Sequence, residues 1–379
     1  MKGNARILVL HNLKEAAEHI TAIGAEEGKV NWLAGKSDFL TIKFDNVSVT
    51  DAIIMKNDTL EMGGNAVYNK GVYDRSVTKS DVIIAGSRTT LERLSARLRL
   101  RTKNTREIAD ALDFLLRVDN MGRSSILCRD KRIPIGRKTV IMGVLELLPD
   151  SDEGEVFARA EKIIAEGADI LDITCSPTLD EEFSTSCSSG IIERIRRDYD
   201  IPICTDVSRA DAARKMLSSG ADIINDIWAL RKDPELAKVV ASYKAGIILM
   251  HNTSHKMHGD IMGRIMATLR RSIDVSQGAG IGINRIIVDP GLGFGKAMDQ
   301  NLEIIRKLRE FKSLGVPVMV GPSGKSLYSN VIKNGTEESL ETIASVASVA
   351  IINGADIIRV HDVKQMKSAA KVTDAIINK

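Results

Sequence analysis

The chain has 379 residues, enough for one large domain and a smaller one. Its 53 Lys and Arg against 50 Asp and Glu leave a net charge of only +3, which argues against nucleic acid as a partner. No apolar run approaches the roughly 20 residues of a membrane span, and the short run in MKGNARILVL does not make a signal peptide.

Residues 1–120 have the pattern of a small α+β domain. RILVLHN (6–12) predicts a strand and KEAAEHITAIG (14–24) a helix. SDFLTIKFDNV (37–47) and SDVIIAG (80–86) predict strands; TTLERLSARLRL (89–100) and REIADALDFLL (106–116) predict helices. The basic stretch RLSARLRLRTKNTR (93–106) fits an amphipathic helix with a solvated face, a phosphate- or partner-binding surface being the alternative. No catalytic motif is found in this region. Residues 121–137, polar with one proline, are expected to be a linker or a lead-in to the next domain.

From Lys138 to the end, eight apolar, β-branched runs alternate with helical patterns: 139–146, 168–174, 202–207, 222–229, 246–252, 285–291, 317–322 and 356–363. Continuous rather than alternating apolarity predicts parallel strands buried on both faces. Three of the runs follow a Gly-Ala-Asp turn (EGADILDI, SGADIINDI, NGADIIRVHDV) and KAGIILM follows a variant of it, which marks repeated βα units. The expectation for residues 138–379 is an α/β (β/α)8 TIM barrel, preceded by the small α+β domain; an open doubly wound sheet is the alternative.

In such a barrel the chemistry sits where the strands end. The polar residues there include Glu146, Pro149, Asp150, Ser176, Thr178, Asp206, Asn225, Asp226, His251, Asp289, Phe294, Lys296, Ser323, Lys325, Ser326, Arg359, His361 and Asp362. Asp206, Asn225 and Asp289, from three different strands, would converge as two carboxylates and an amide, a set suited to an aminopyrimidine-like ring with several N–H donors. The alternative is that Asp206 caps the following helix and Asn225 satisfies backbone groups. Arg359 and His361, two apart on one strand end, can point the same way and, with Lys296 or Lys325, suit a phosphate or pyrophosphate; an Arg359–Asp362 salt bridge is the alternative. DPGLGFGK (289–296), between a strand and a helix, is a built turn rather than a random glycine run. His251, His255 and His258 would share a face only if helical, so a loop is expected there rather than a zinc site. Cys128, Cys175, Cys187 and Cys204 make no CxxC pair; thiols in a reducing cytoplasm are expected, with a Cys175–Cys187 bridge as the alternative.

Residues 139–375 resemble dihydropteroate synthase and its pterin-binding relatives, through VIMGVLELLPDS, GADILDI, IPICTDVSRADAARK, GADIINDI, ILMH, DPGLGFGKAMDQNLEIIRKL, VPVMVGPSGKS and GADIIRVHDV in order. The resemblance implies a transferase of folate or related pterin biosynthesis, joining 6-hydroxymethyl-7,8-dihydropterin diphosphate to 4-aminobenzoate with release of pyrophosphate. It implies that Asp206, Asn225, Asp289, Phe294 and Lys325 hold the pterin, that Arg359 and His361 hold the diphosphate with Mg2+ assisting, and that the protein is a possible homodimer. Lys325, Arg359 and His361 would be catalytic. Ser176, Thr178 and Ser323 fall on the arylamine side. Three loops depart from the family: Glu146 replaces its first-loop asparagine, 174–178 lacks its second-loop arginine, and Ser323-Gly324-Lys325-Ser326 lacks the arginine of its seventh loop. Glu146 can still bind Mg2+ through its carboxylate. A pterin enzyme with another acceptor, such as a pterin-dependent methyltransferase, and a non-catalytic pterin-binding paralogue are the alternatives.

Overall fold

The computed structural model describes residues 8, 10, 13–120, 125–148, 152–175, 181–254, 259–322 and 339–377. The chain forms two compact units, Met1–Met121 and Gly122–Lys379.

In the first unit, strands β1 (Phe39–Ser48), β2 (Asn65–Tyr68) and β3 (Lys79–Ser87) make an antiparallel sheet in the order β1-β3-β2. Period-two burial along β3 turns Val82 and Ile84 onto a core with Met55, Leu91, Leu94, Leu98 and Leu112, drawn from helices Val49–Glu61, Arg88–Leu98 and Lys103–Asn120. The helix Val49–Glu61 was not anticipated; its start is set by Ser48, whose side chain accepts the Asp51 N–H. The basic stretch spans the end of the helix Arg88–Leu98, a turn and the start of the helix Lys103–Asn120, and three of its arginines meet carboxylates of the same unit: Arg97 and Arg101 pair with the buried Asp58, and Arg99 with Asp110 and Asp113. These pairs engage three of the six cations of the stretch within the unit itself. The strand expected over 6–12 falls mostly outside the described residues.

The second unit is a parallel barrel. Strands β6 (Val140–Leu147), β7 (Ile170–Cys175), β8 (Ile203–Asp206), β9 (Ile223–Asp226), β10 (Gly246–Met250), β11 (Ile286–Asp289), β12 (Met319–Val320) and β13 (Ile357–Val360) run in the order β11-β10-β9-β8-β7-β6-β13-β12. A parallel bridge from Val288 to Val318 brings the two ends together. All eight lie within the runs expected from sequence, extended by one residue at most.

The Gly-Ala-Asp turns have a common job. The Asp backbone N–H of each bonds a carbonyl at the start of the preceding strand (Asp169 to Ile141, Asp222 to Ile203, Asp356 to Val318, each 2.8 Å). The same aspartate's carboxylate accepts the N–H of that residue, each at 3.0 Å. One residue thus clamps both backbone groups of its neighbour and fixes register at the barrel's base. Asp222 is buried and also pairs with Arg196 at 2.5 Å. Asp222→Ala should therefore lower unfolding stability by about 3 kcal/mol, seen as a lower urea midpoint with an unchanged slope.

The stretch expected as a linker or a lead-in to the next domain folds with the second unit. Strands β4 (Ser125–Cys128) and β5 (Lys131–Pro134) form a hairpin whose Ile126, Cys128 and Ile133, followed by Ile135, pack into the bottom of the barrel. They meet Met142, Ile170, Cys204, Ile223, Ile248, Ile287, Met319 and Ile357, one side chain from every barrel strand. Arg129 stitches the hairpin down through its side chain to the carbonyls of Leu217 and Ala221. Apolar burial on this scale makes the hairpin part of the barrel rather than a tether.

Candidate functional site

A step of two along a strand returns to the same face. Two residues above the apolar floor layer, the same strands present Asp172 (β7), Asp206 (β8), Asn225 (β9), Asp289 (β11) and Arg359 (β13), beside Val144 and Met250. A polar layer thus sits directly on a dry one.

Its members are bonded to each other. Asn225 Nδ2 donates to Asp206 Oδ1 at 2.7 Å, and Thr174 Oγ1 to Asp206 Oδ2 at 2.9 Å. Arg359 Nε donates to Asp172 Oδ2 at 2.7 Å, and its Nη2 lies 3.6 Å from Asp206 Oδ2. Asp289 Oδ1 accepts the Gly291 N–H at 2.7 Å. Among the described residues Asp172 Oδ1, Asn225 Oδ1 and His251 Nδ1 are buried without a hydrogen-bond partner. Such atoms cost free energy until a ligand brings donors to them.

Burial pushes the Asp206 carboxyl up to about 6, with Asp172 adding to the shift and Arg359, Asn225 and Thr174 opposing it. Burial likewise takes Asp289 up to about 6, against the Gly291 N–H, Lys296 and Arg359. For Arg359, burial opposes the charge, but Asp172 and Asp206 outweigh it and hold the guanidinium protonated. Three carboxylates (Asp172, Asp206, Asp289) face two cations (Arg359, Lys296), so the layer is rich in acceptors and favours a ligand rich in N–H groups or carrying positive charge.

Among the residues anticipated from sequence, Asp206, Asn225 and Asp289 do converge, and none of them caps a helix. Asp172 was missed, although a lone aspartate inside the apolar run ILDIT was the signal for it. Arg359 binds Asp172, not Asp362, and lies in the floor of the site, while His361 is exposed just past the end of β13. The hydrogen bonds of Lys296 go to backbone carbonyls rather than to a carboxylate: its Nζ donates to Gly291 (2.7 Å), His251 (3.0 Å) and Phe294 (3.1 Å). Phe294 stands half-exposed on the glycine turn. Asp226 turns to the outer wall, where it accepts from Ser208 Oγ and from the N–H groups of Trp228 and Leu230, bracing a turn with Ala229 and Leu230 in left-handed conformations. Glu146 is half-buried at the end of β6. His251 is buried, and burial together with Lys296 and Arg231 takes it down to about 3, a neutral imidazole. All four cysteines are free thiols, with Cys175 Sγ 3.1 Å from Ser188 Oγ. Pro149, Asp150, Ser176, Thr178, His255, His258, Ser323, Lys325 and Ser326 lie outside the described residues. Among the described residues no helix is long and apolar enough to cross a membrane.

Comparison with known proteins agrees with this geometry. Residues 147–361 match the family of pterin binding enzymes. A dihydropteroate synthase from Clostridium beijerinckii is 36% identical over 264 residues, which cover 66% of this chain and 98% of that protein. A probable bifunctional folylpolyglutamate synthase/dihydropteroate synthase from Halobacterium salinarum is 31% identical over 97% of this chain and 46% of its own length, so that its similarity extends into the first unit. The crystal structure of a dihydropteroate synthase from Clostridium difficile, in the presence of pteroic acid, has 34% identity and a TM-score of 0.62, covering 65% of this chain and 100% of that one. With its barrel, its floor of acidic and amide groups and these relatives together, the chain belongs to the dihydropteroate synthase family of pterin-binding enzymes.

Proposed function

We propose that this protein is a dihydropteroate synthase, which joins 6-hydroxymethyl-7,8-dihydropterin diphosphate to 4-aminobenzoate and releases pyrophosphate. The observation that carries the reading is the pair of orphaned acceptors, Asp172 Oδ1 and Asn225 Oδ1, in a layer of three carboxylates. The amino group and ring N–H groups of a dihydropterin supply the missing donors, and satisfying each acceptor recovers about 1–3 kcal/mol. As the bond from the pterin methylene carbon to the diphosphate oxygen breaks, its electron pair leaves with the diphosphate and the ring gains positive charge. A carboxylate-rich floor stabilises that charge without moving. The arylamine nitrogen then bonds the methylene carbon and gives up a proton, so the step needs no strong base.

The half-buried carboxylate of Glu146 is a hard oxygen donor of the type Mg2+ takes together with substrate phosphates, and we assign it as the protein's ligand to that ion. Bound there, Mg2+ would neutralise charge on the departing diphosphate. Arg359 and the exposed His361 are assigned to the diphosphate, Lys325 to the pterin, and Ser176, Thr178 and Ser323 to the arylamine side.

The test is turnover of purified protein with both substrates and Mg2+, quantifying dihydropteroate and pyrophosphate. Equal rates of formation are expected. Pterin binding without product would move the reading to another acceptor or to a non-catalytic relative. Because burial brings Asp206 and Asp289 up to about 6 and each accepts more strongly when ionised, pterin affinity should be full at pH 7.5 and fall as pH drops through about 6. A titration with pteroic acid between pH 5 and 8 checks this; flat affinity would remove both carboxylates from the contact.

A further inference from the structure

We propose that Lys296 is a positioning residue for the pterin floor, its ammonium locking the turn after β11 so that Asp289 stands ready as an ionised acceptor. The inference rests on the pterin reading above and adds a residue to it. An ammonium has three N–H bonds, and here each has a backbone carbonyl: Gly291 and Phe294 in the turn after β11, and His251 after β10. Nothing is left over for a substrate phosphate.

The surrounding backbone is closed to any other arrangement. Gly291 and Gly295 both take left-handed φ, and a Cβ on either would collide with a carbonyl oxygen of the β10 loop, that of His251 or of Thr253. The two loops therefore meet backbone to backbone, and the ammonium fills the gap among their carbonyls. Gly291 is the hinge of the arrangement: its carbonyl binds Lys296 while its N–H binds Asp289 Oδ1. Position is thereby passed from the lysine to the carboxylate through one peptide unit on each side.

Charge is passed as well. Asp289 faces Lys296 and Arg359 on its cationic side and Asp206 on its anionic side. Lys296 in turn faces Asp289 and Arg231, next to the neutral His251. Removing the ammonium takes one of the two cations from the neighbourhood of Asp289 and leaves burial and Asp206 to favour its protonated form, a weaker acceptor.

The experiment titrates full-length wild type, Lys296→Gln and Lys296→Arg with pteroic acid from pH 5.5 to 9, with thermal unfolding as a check on folding. Lys296→Gln keeps a donor but no charge; its acid midpoint of binding should rise by about one pH unit, with affinity several-fold below wild type at pH 6. An affinity loss that is equal at every pH, with the midpoint unmoved, overturns the proposal and leaves a merely structural lysine. Should Lys296→Gln fail to fold, wild type and Lys296→Arg are compared above pH 8. The ligand's own ionisation is common to both proteins. Burial brings Lys296 down to about 8, so wild type alone should lose further affinity there, while the arginine keeps its proton. Coincident profiles overturn the proposal. Wild type without affinity at any pH overturns the pterin reading and this inference with it, whereas wild-type binding with an unmoved midpoint overturns this inference alone.

Discussion

Arg359→Met should cost the barrel about 4 kcal/mol and abolish pterin binding at neutral pH, because it leaves two inward carboxylates without their counter-charge. Arg359 is the group that bonds Asp172 at 2.7 Å and lies 3.6 Å from Asp206. A methionine of similar length fills the space but neutralises nothing. The remaining carboxylates then hold protons more tightly. For an acid whose folded pKa lies above its unfolded value, stability is greatest at low pH and is lost as pH rises through the interval between the two. In wild type that interval for Asp206 runs from 3.8 to about 6; in the variant it extends further upward. The variant's deficit in urea unfolding should accordingly be larger at pH 8 than at pH 6. A deficit independent of pH would mean that Arg359 acts by packing alone.

Asp289→Asn should separate binding from stability. Replacing a charged acceptor by a neutral one should weaken pteroic acid by roughly 10- to 100-fold at pH 7.5. The ligand-free protein should become more stable by about 1–2 kcal/mol at the same pH, since keeping this buried carboxylate ionised costs about 3 kcal/mol for a shift from 3.8 to about 6. The amide oxygen can still accept the Gly291 N–H, and Lys296 loses a counter-charge, which is why the gain is less than the full cost. Calorimetry on the same sample reads both quantities. If affinity and stability fall together, the carboxylate is there to hold the turn and not to meet a ligand.

Much of this was legible in the chain. The eight apolar runs are strands because parallel strands buried on both faces need unbroken apolarity, and the recurring Gly-Ala-Asp turns mark their starts. Asp206 and Asp289 could be chosen because each closes a strand, and Asn225 because it stands next to the last residue of one. Asp172 escaped because its strand continues to Cys175, so it lies in the middle of the run rather than at the end. The period of two, applied upward from Ile170, finds it. The hairpin 125–134 was hidden by its brevity, since two four-residue strands carry too little pattern to separate from a polar connector. Lys296 stands beside Lys325 as a choice for an anion because composition records the ammonium but not the backbone carbonyls that surround it.

The hairpin at the base of the barrel has a consequence for traffic. Ile126, Ile133 and Ile135, with a side chain from every strand, stop the lower end completely. Among the described residues the polar layer is therefore closed from below and reached through a doorway on the rim side. Whatever rests against Asp206 and Asp289 has to arrive before anything that occupies the doorway, and it cannot depart until that second occupant has gone. Sequence of arrival and departure is then written into the shape: first in, last out.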